Sequence, residues 1–146
     1  MEHRVAVKCR RDVLIVADAI DRFVPGIVPH DHARPGQPID IAPLGDALRG
    51  SATHAILKTR SLELMRVVLR AGEALPPHHV RGELTLLCIE GAAEVAMAGE
   101  TCQLRPNQLV LLPPQVRHAV RALEDTSLLL TIQLPAGQPG SASSTR

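Results

Sequence analysis

The 146-residue chain has no Trp and no Tyr, and Phe23 is its single aromatic residue. Single-stranded nucleic acid is held largely by bases stacked on aromatic rings, and sugars and quaternary amines by aromatic walls and cages, so those modes of recognition are closed to it. An excess of charge is missing as well. Sixteen Lys and Arg stand against 15 Asp and Glu, which gives no general pull toward nucleic acid or an anionic membrane, and neither is expected as a partner. Cysteine is scarce and odd in number. Cys9, Cys88 and Cys102 are spaced too widely for a zinc finger or a disulfide framework, and a reducing, cytoplasmic setting fits them. Long apolar runs are also absent near the N-terminus. Residues 13–20 are interrupted by Asp18 and followed by Asp21 and Arg22, too short a stretch to span a bilayer and without the small-residue cleavage site of a signal peptide.

What the chain does have is aliphatic. Hydrophobic residues make up 45 % of it and charged residues 21 %, the balance of one soluble globular domain. At this length folding buries roughly 70 % of the unfolded surface, enough for one core without metal or disulfide support. A metal, if bound, then serves function rather than folding.

Residues 1–38 read as an N-terminal extension. Arg4, Lys8, Arg10 and Arg11 make a basic start, residues 12–23 fit a short helix or a strand equally, and Pro25, Gly26, Pro29, Pro35, Gly36 and Pro38 interrupt regular structure. One hypothesis is that residues 1–27 are not part of the natural product and that translation starts near Val28, which its intact mass would settle. His30 and His32 share a face of this arm and read as solvated. Residues 40–48 suit a brief strand and a helical turn. Residues 39–135 form the domain, and residues 136–146, small and polar, read as a disordered tail.

Within the domain short apolar segments alternate with turn residues, an all-β signal. The expected strands are 54–59, 62–70, 84–90, 93–98, 101–104, 109–112, 118–122 and 127–134, enough for a closed barrel or a sandwich. Gly99-Glu100 has the length of a two-residue hairpin loop. Pro76-Pro77, Pro106-Asn107 and Pro113-Pro114 mark edges, entries or loops, because proline cannot donate to a central ladder.

The stretch 72–122 resembles the two motifs of the cupin superfamily. The first motif runs Gly, five residues, His-x-His, three or four residues, Glu, six residues, Gly, and is matched at Gly72, His78 and Gly91. The second runs Gly, five residues, Pro-x-Gly, two residues, His, three residues, Asn, and is matched at Pro113 and His118, with Asn107, Gln115 and Ala122 departing from it. Asn107 suits the Gly position because Asn tolerates the left-handed region. The resemblance, closest to small single-domain bacterial cupins with a His-His-x-x-Gly variant of the first motif, implies a jelly-roll β-barrel with the motif histidines inside its mouth.

Metal-dependent cupins hold iron, manganese, nickel or zinc with three His and one Glu. Here His78 and His118 stand at matching positions, while Val80 replaces the second His and Leu84 the Glu. Neighbouring residues of a strand point to opposite faces, so His79 does not simply replace Val80, nor Glu83 Leu84. A one-residue shift would bring His79 and Glu83 inward together with His118, and it requires a bulge near Pro77. Otherwise His79 is a rim residue and Glu83 a solvated charge.

The departures favour a small-molecule-binding protein, sensor or carrier in kind. Its lumen is expected to be lined by Leu84, Leu86, Val95, Met97, Leu111 and Val120, with Cys88 inward by parity and a polar pair at His78 and His118. The alternative is a metal-dependent oxygenase or isomerase with an incomplete ligand shell. A homodimer through sheet faces is also expected. Arg66 and Arg70 share one strand face; they are ordinary outward residues, or, if that face turns inward, an anion pocket, with Thr131 and Gln133 as weaker candidates. The position of His54, at the mouth or at a strand end, stays open.

Overall fold

The computed structural model describes residues 32–136 together with the pair Leu14–Ile15. The expectations placed on residues 1–31, apart from that pair, and on the tail beyond residue 136 lie outside the described residues. The strands are β1 (Leu14–Ile15), β2 (His54–Lys58), β3 (Leu62–Leu69), β4 (Ala74–Val80), β5 (Leu84–Glu90), β6 (Ala93–Met97), β7 (Glu100–Leu104), β8 (Leu109–Leu112), β9 (His118–Ala122) and β10 (Thr126–Gln133). They form two five-stranded sheets, β1-β4-β9-β6-β7 and β2-β3-β10-β5-β8. All pairings are antiparallel except the short β1–β4 bridge.

Each sheet turns one face inward because its strands alternate. Met65, Val67 and Leu69 of β3, Leu84, Leu86 and Cys88 of β5, and Leu128, Leu130 and Ile132 of β10 are all buried from one side. Leu75 and Val80 of β4, Val95 of β6, and Val120 and Ala122 of β9 meet them from the other. The result is a jelly-roll with an aliphatic core: the strand pattern predicts the all-β class, and the resemblance implies the jelly-roll.

Four local expectations are corrected. The strand β4 was not anticipated, because Pro76-Pro77 reads as a loop; the register of β4 on β9 shifts between Leu75 and His78, and that irregularity is where a strand tolerates prolines. The hairpin turn lies one residue earlier than expected. Met97 pairs with Glu100, so the loop is Ala98-Gly99, and both residues take positive φ (46° and 81°), the geometry that matches strand twist. Leu111 does not line the lumen but is exposed, because Leu112 and not Leu111 faces the core in β8. Finally, residues 40–48 hold no strand, only the 3-10 segment Gly45–Gly50.

That segment covers the outer face of the second sheet. The Glu90 carboxylate accepts the backbone N–H groups of Leu44 (2.7 Å) and Gly45 (3.0 Å) and the Ser127 hydroxyl (2.9 Å). These bonds hold its carboxyl below the usual carboxylate range against the opposing effect of burial, the largest single influence. Arg66 donates to the Ala42 carbonyl at 2.9 Å. Arg66 thus faces outward yet is buried under residues 40–42, so the anion pocket considered for it does not exist. Arg70 is exposed and donates to the Arg49 carbonyl.

Candidate ligand site

His78 and His118 are cross-strand partners on β4 and β9. Alternation alone would set His78 opposite to Leu75, three residues away; the irregularity between them restores His78 to the face that also carries Val80. The same step leaves His79 on the other face, and Glu83, in the turn before β5, is exposed. The bulge near Pro77 therefore exists, but it aims His78 inward, and His79 and Glu83 are not brought together with His118.

The two rings meet edge to face, with centroids 4.4 Å apart and an interplanar angle of 65°. His78 Nδ1 lies 2.7 Å from the Pro76 carbonyl oxygen and His118 Nδ1 3.0 Å from that of Val116. A carbonyl only accepts, so each Nδ1 carries the proton, and each neutral ring presents Nε2 as an acceptor. His118 is 2 % exposed, and its Nε2 has no hydrogen-bond partner. Leaving such an atom bare in the interior costs about 1–3 kcal/mol.

Both imidazoles are held neutral. Burial is the main cause of the lowered pKa of His78, opposed by its bond to Pro76 and assisted by His79. Burial, then the neighbouring His78, push His118 down to about 4.

A cavity of about 470 Å³ opens at this end of the barrel, lined among others by Pro77, Met97, Thr101, Val116 and His118. Met97 pairs directly with His118 across β6 and β9. Leu84 and Cys88 are buried on the inner face of β5 but, contrary to expectation, do not line this cavity, and the Cys88 thiol lies at the other end of β5 against the Glu90 and Gly91 carbonyls; burial raises the thiol pKa of Cys88, and Cys102 is exposed. A larger hollow of about 840 Å³ lies outside the barrel between residues 32–40 and β2, where His32 and His54 contribute to its wall. His54 therefore belongs to a strand end and not to the mouth. Thr131 lies on the outward face of β10, and Gln133 is exposed, its side-chain Oε1 accepting the Glu83 N–H at 3.3 Å.

The donor set does not fit a metal held by the protein. The two positions that would complete it carry Val80 and Leu84, both buried. Among the described residues no third His, Cys, Asp or Glu stands with the pair. An ion on two imidazoles would keep most of its positions for water, and Leu and Val offer that water no hydrogen bonds.

The family model described as Cupin domain matches residues 65–132. Among solved structures, a cupin superfamily protein from Desulfitobacterium hafniense is 15 % identical, with a TM-score of 0.60, over 73 % of this chain and 99 % of that one. A conserved protein of unknown function from Streptococcus pyogenes is 18 % identical, with a TM-score of 0.59, over 73 % and 95 %. An RmlC-like cupin protein from Desulfovibrio desulfuricans is 22 % identical, with a TM-score of 0.54, over 70 % and 98 %. At these identities the likeness is one of fold. No curated protein matches the sequence.

Proposed function

With the chain a small cupin-2-like domain protein, we propose that it binds a small organic molecule at the mouth of its barrel, as a sensor or carrier, and that His78 and His118 hold it. The observation that carries this reading is the buried His118 Nε2, an acceptor with no partner, at the end of the barrel where the cavity opens. A ligand O–H or N–H would satisfy it, while Met97 and Val116 provide an apolar wall. Both rings are already neutral and fixed in one tautomer, so no proton need be removed before they accept a bond.

A homodimer in a cytoplasmic setting completes the proposal. Leu109 and Leu111, 58 % and 52 % exposed on the edge strand β8, support the pairing, since monomers seldom leave an uncharged aliphatic edge open. Among the described residues no helix is long and apolar enough to cross a membrane.

The test is thermal unfolding of the full chain in the presence of chelator against a panel of small neutral metabolites, compared with His118→Leu. At least one compound should raise Tm in the wild type and lose that effect in the variant, because a ligand at a hundred times its Kd adds about 2.7 kcal/mol. If no compound stabilises the wild type, or the variant responds equally, the reading fails.

A further inference from the structure

Resting on that reading, we infer that the molecule held at His118 is a zwitterion, an α-amino acid with an aliphatic side chain, its ammonium group shared by His118 and Glu100 and its carboxylate on Arg117.

The cavity at His118 is built by two short connections at one end of the first sheet. Ala98 and Gly99, the turn between β6 and β7, stand on one side, and Val116 and Arg117, which lead into β9, on the other. Both connections are fixed by their backbones. The hairpin turn takes positive φ at both residues, and the loop before β9 is tied down by the Gln115 N–H on the Val80 carbonyl and by His118 Nδ1 on the Val116 carbonyl.

Strand register sets what faces the opening. Glu100 is opposite Met97, Met97 is opposite His118, and His118 is opposite His78, so one row across the sheet runs Glu100, Met97, His118, His78. Directly opposed residues of an antiparallel ladder share a face, which puts the Glu100 carboxylate on the same side as the imidazoles. Strands lie about 4.8 Å apart, so Glu100 and His118 stand about 10 Å apart along the row, with Met97 as the floor between them. Arg117 adjoins His118 in sequence and lines the same cavity.

The charges of this wall select the ligand. Among the described residues it carries one carboxylate, Glu100, and one guanidinium, Arg117, beside the bare Nε2 acceptor of His118. An ammonium group has three donors and no acceptor, so it satisfies Nε2 and the Glu100 carboxylate together. A carboxylate on the same molecule accepts from the planar fork of Arg117, whose five donors serve more than one partner. What remains of the wall, Pro77, Met97 and Val116, is apolar, and it suits an aliphatic side chain. A volume of about 470 Å³ lies in the range of small-molecule sites.

The experiment is calorimetric titration of the full chain, with chelator, using three kinds of probe. Valine and leucine carry both charges, isovalerate and isocaproate lack the amine, and isobutylamine and isopentylamine lack the carboxylate. The proteins are wild type, His118→Leu, Glu100→Gln and Arg117→Gln; Glu100 and Arg117 are exposed, so their variants retain the fold. At least one amino acid should bind the wild type, with its two truncated analogues at least tenfold weaker. Each variant should lose at least tenfold for that amino acid, whereas Glu100→Gln should leave the acid unchanged and Arg117→Gln the amine. Loss in His118→Leu with full affinity in both charge variants would overturn the roles of Glu100 and Arg117 and leave the histidine site standing. An acid or amine that binds the wild type as tightly as the amino acid would overturn the zwitterion. If no probe binds while another neutral compound still raises Tm through His118, this inference alone falls; if no compound does either, the proposed function falls with it.

Discussion

Gly91→Ala is expected to destabilise the domain by roughly 3–5 kcal/mol, whereas Gly72→Ala costs only about 1–2 kcal/mol. Both glycines open or close the first motif, and both have positive φ, +80° at Gly91 and +85° at Gly72. Adding a methyl to either therefore incurs the left-handed penalty. The difference is space. Around Gly72 a Cβ would meet nothing within 4 Å, while at Gly91 it would run into the Asp125 carbonyl and the Thr126 backbone and side chain. Thr126 cannot retreat, because it is fully buried and its hydroxyl accepts the Ala92 N–H at 3.1 Å. Chemical denaturation of the two variants beside the wild type reads the comparison directly. Equal, small losses would show that the loop before β6 gives way and that the close approach is not a structural constraint.

Acidification should weaken the metal-free protein through His118. Its pKa in the folded chain is about 4, below the unfolded value near 6.5, so between these limits the unfolded state binds more protons and stability falls with pH. The contribution is complete above about pH 6.5 and is lost as pH drops to about 4, a total of about 3 kcal/mol at 1.36 kcal/mol per unit. His78 shifts in the same direction and adds to the loss. Asp125 and Glu90 have depressed carboxyl values, so their contributions also vanish on acidification, but in a lower range. His118→Leu separates the two. Urea unfolding at pH 7.5 and pH 4.5 should show a much smaller difference in the variant than in the wild type. Parallel slopes with pH would mean that His118 is not a buried neutral base.

The fold was legible because its signals are local. The boundaries of β5, β8 and β9 follow from Leu84, Leu109 and His118, each at the start of an alternating segment closed by turn residues. Asn107 takes φ +67° where the second motif has Gly, the substitution its side chain permits. Gln115 replaces the other Gly of that motif and adopts φ +60°, which its composition gives no reason to expect; its N–H is tied to the Val80 carbonyl at 2.8 Å, and that bond holds the turn beside the site.

The candidate site was legible only in part, for a geometric reason. His78, His118, Leu84 and Cys88 face inward by parity, and parity is read from spacing. The irregularity at Pro76-Pro77 shifts parity by one, and no composition rule says on which side of the prolines it falls. Glu63 is buried on the inner face of β3, which a single carboxylate in 62–70 signals only by its two-residue spacing from Met65 and Val67. Arg66 faces outward as its spacing predicts, but its burial depends on residues 40–42, which pack on it from far away in sequence. Long-range cover of this kind leaves no periodic trace.

The central claim is that the two imidazoles serve as hydrogen-bond acceptors in an aliphatic lumen and not as ligands of a metal centre. Bound iron, manganese, nickel, copper and zinc should be measured by mass spectrometry on untagged wild type and on His118→Ala, before and after incubation with iron or zinc. Metal far below one ion per chain is expected in both, with no gain on incubation. Close to one ion per chain in the wild type, lost in His118→Ala, would contradict it and make the degenerate motif a working metal site.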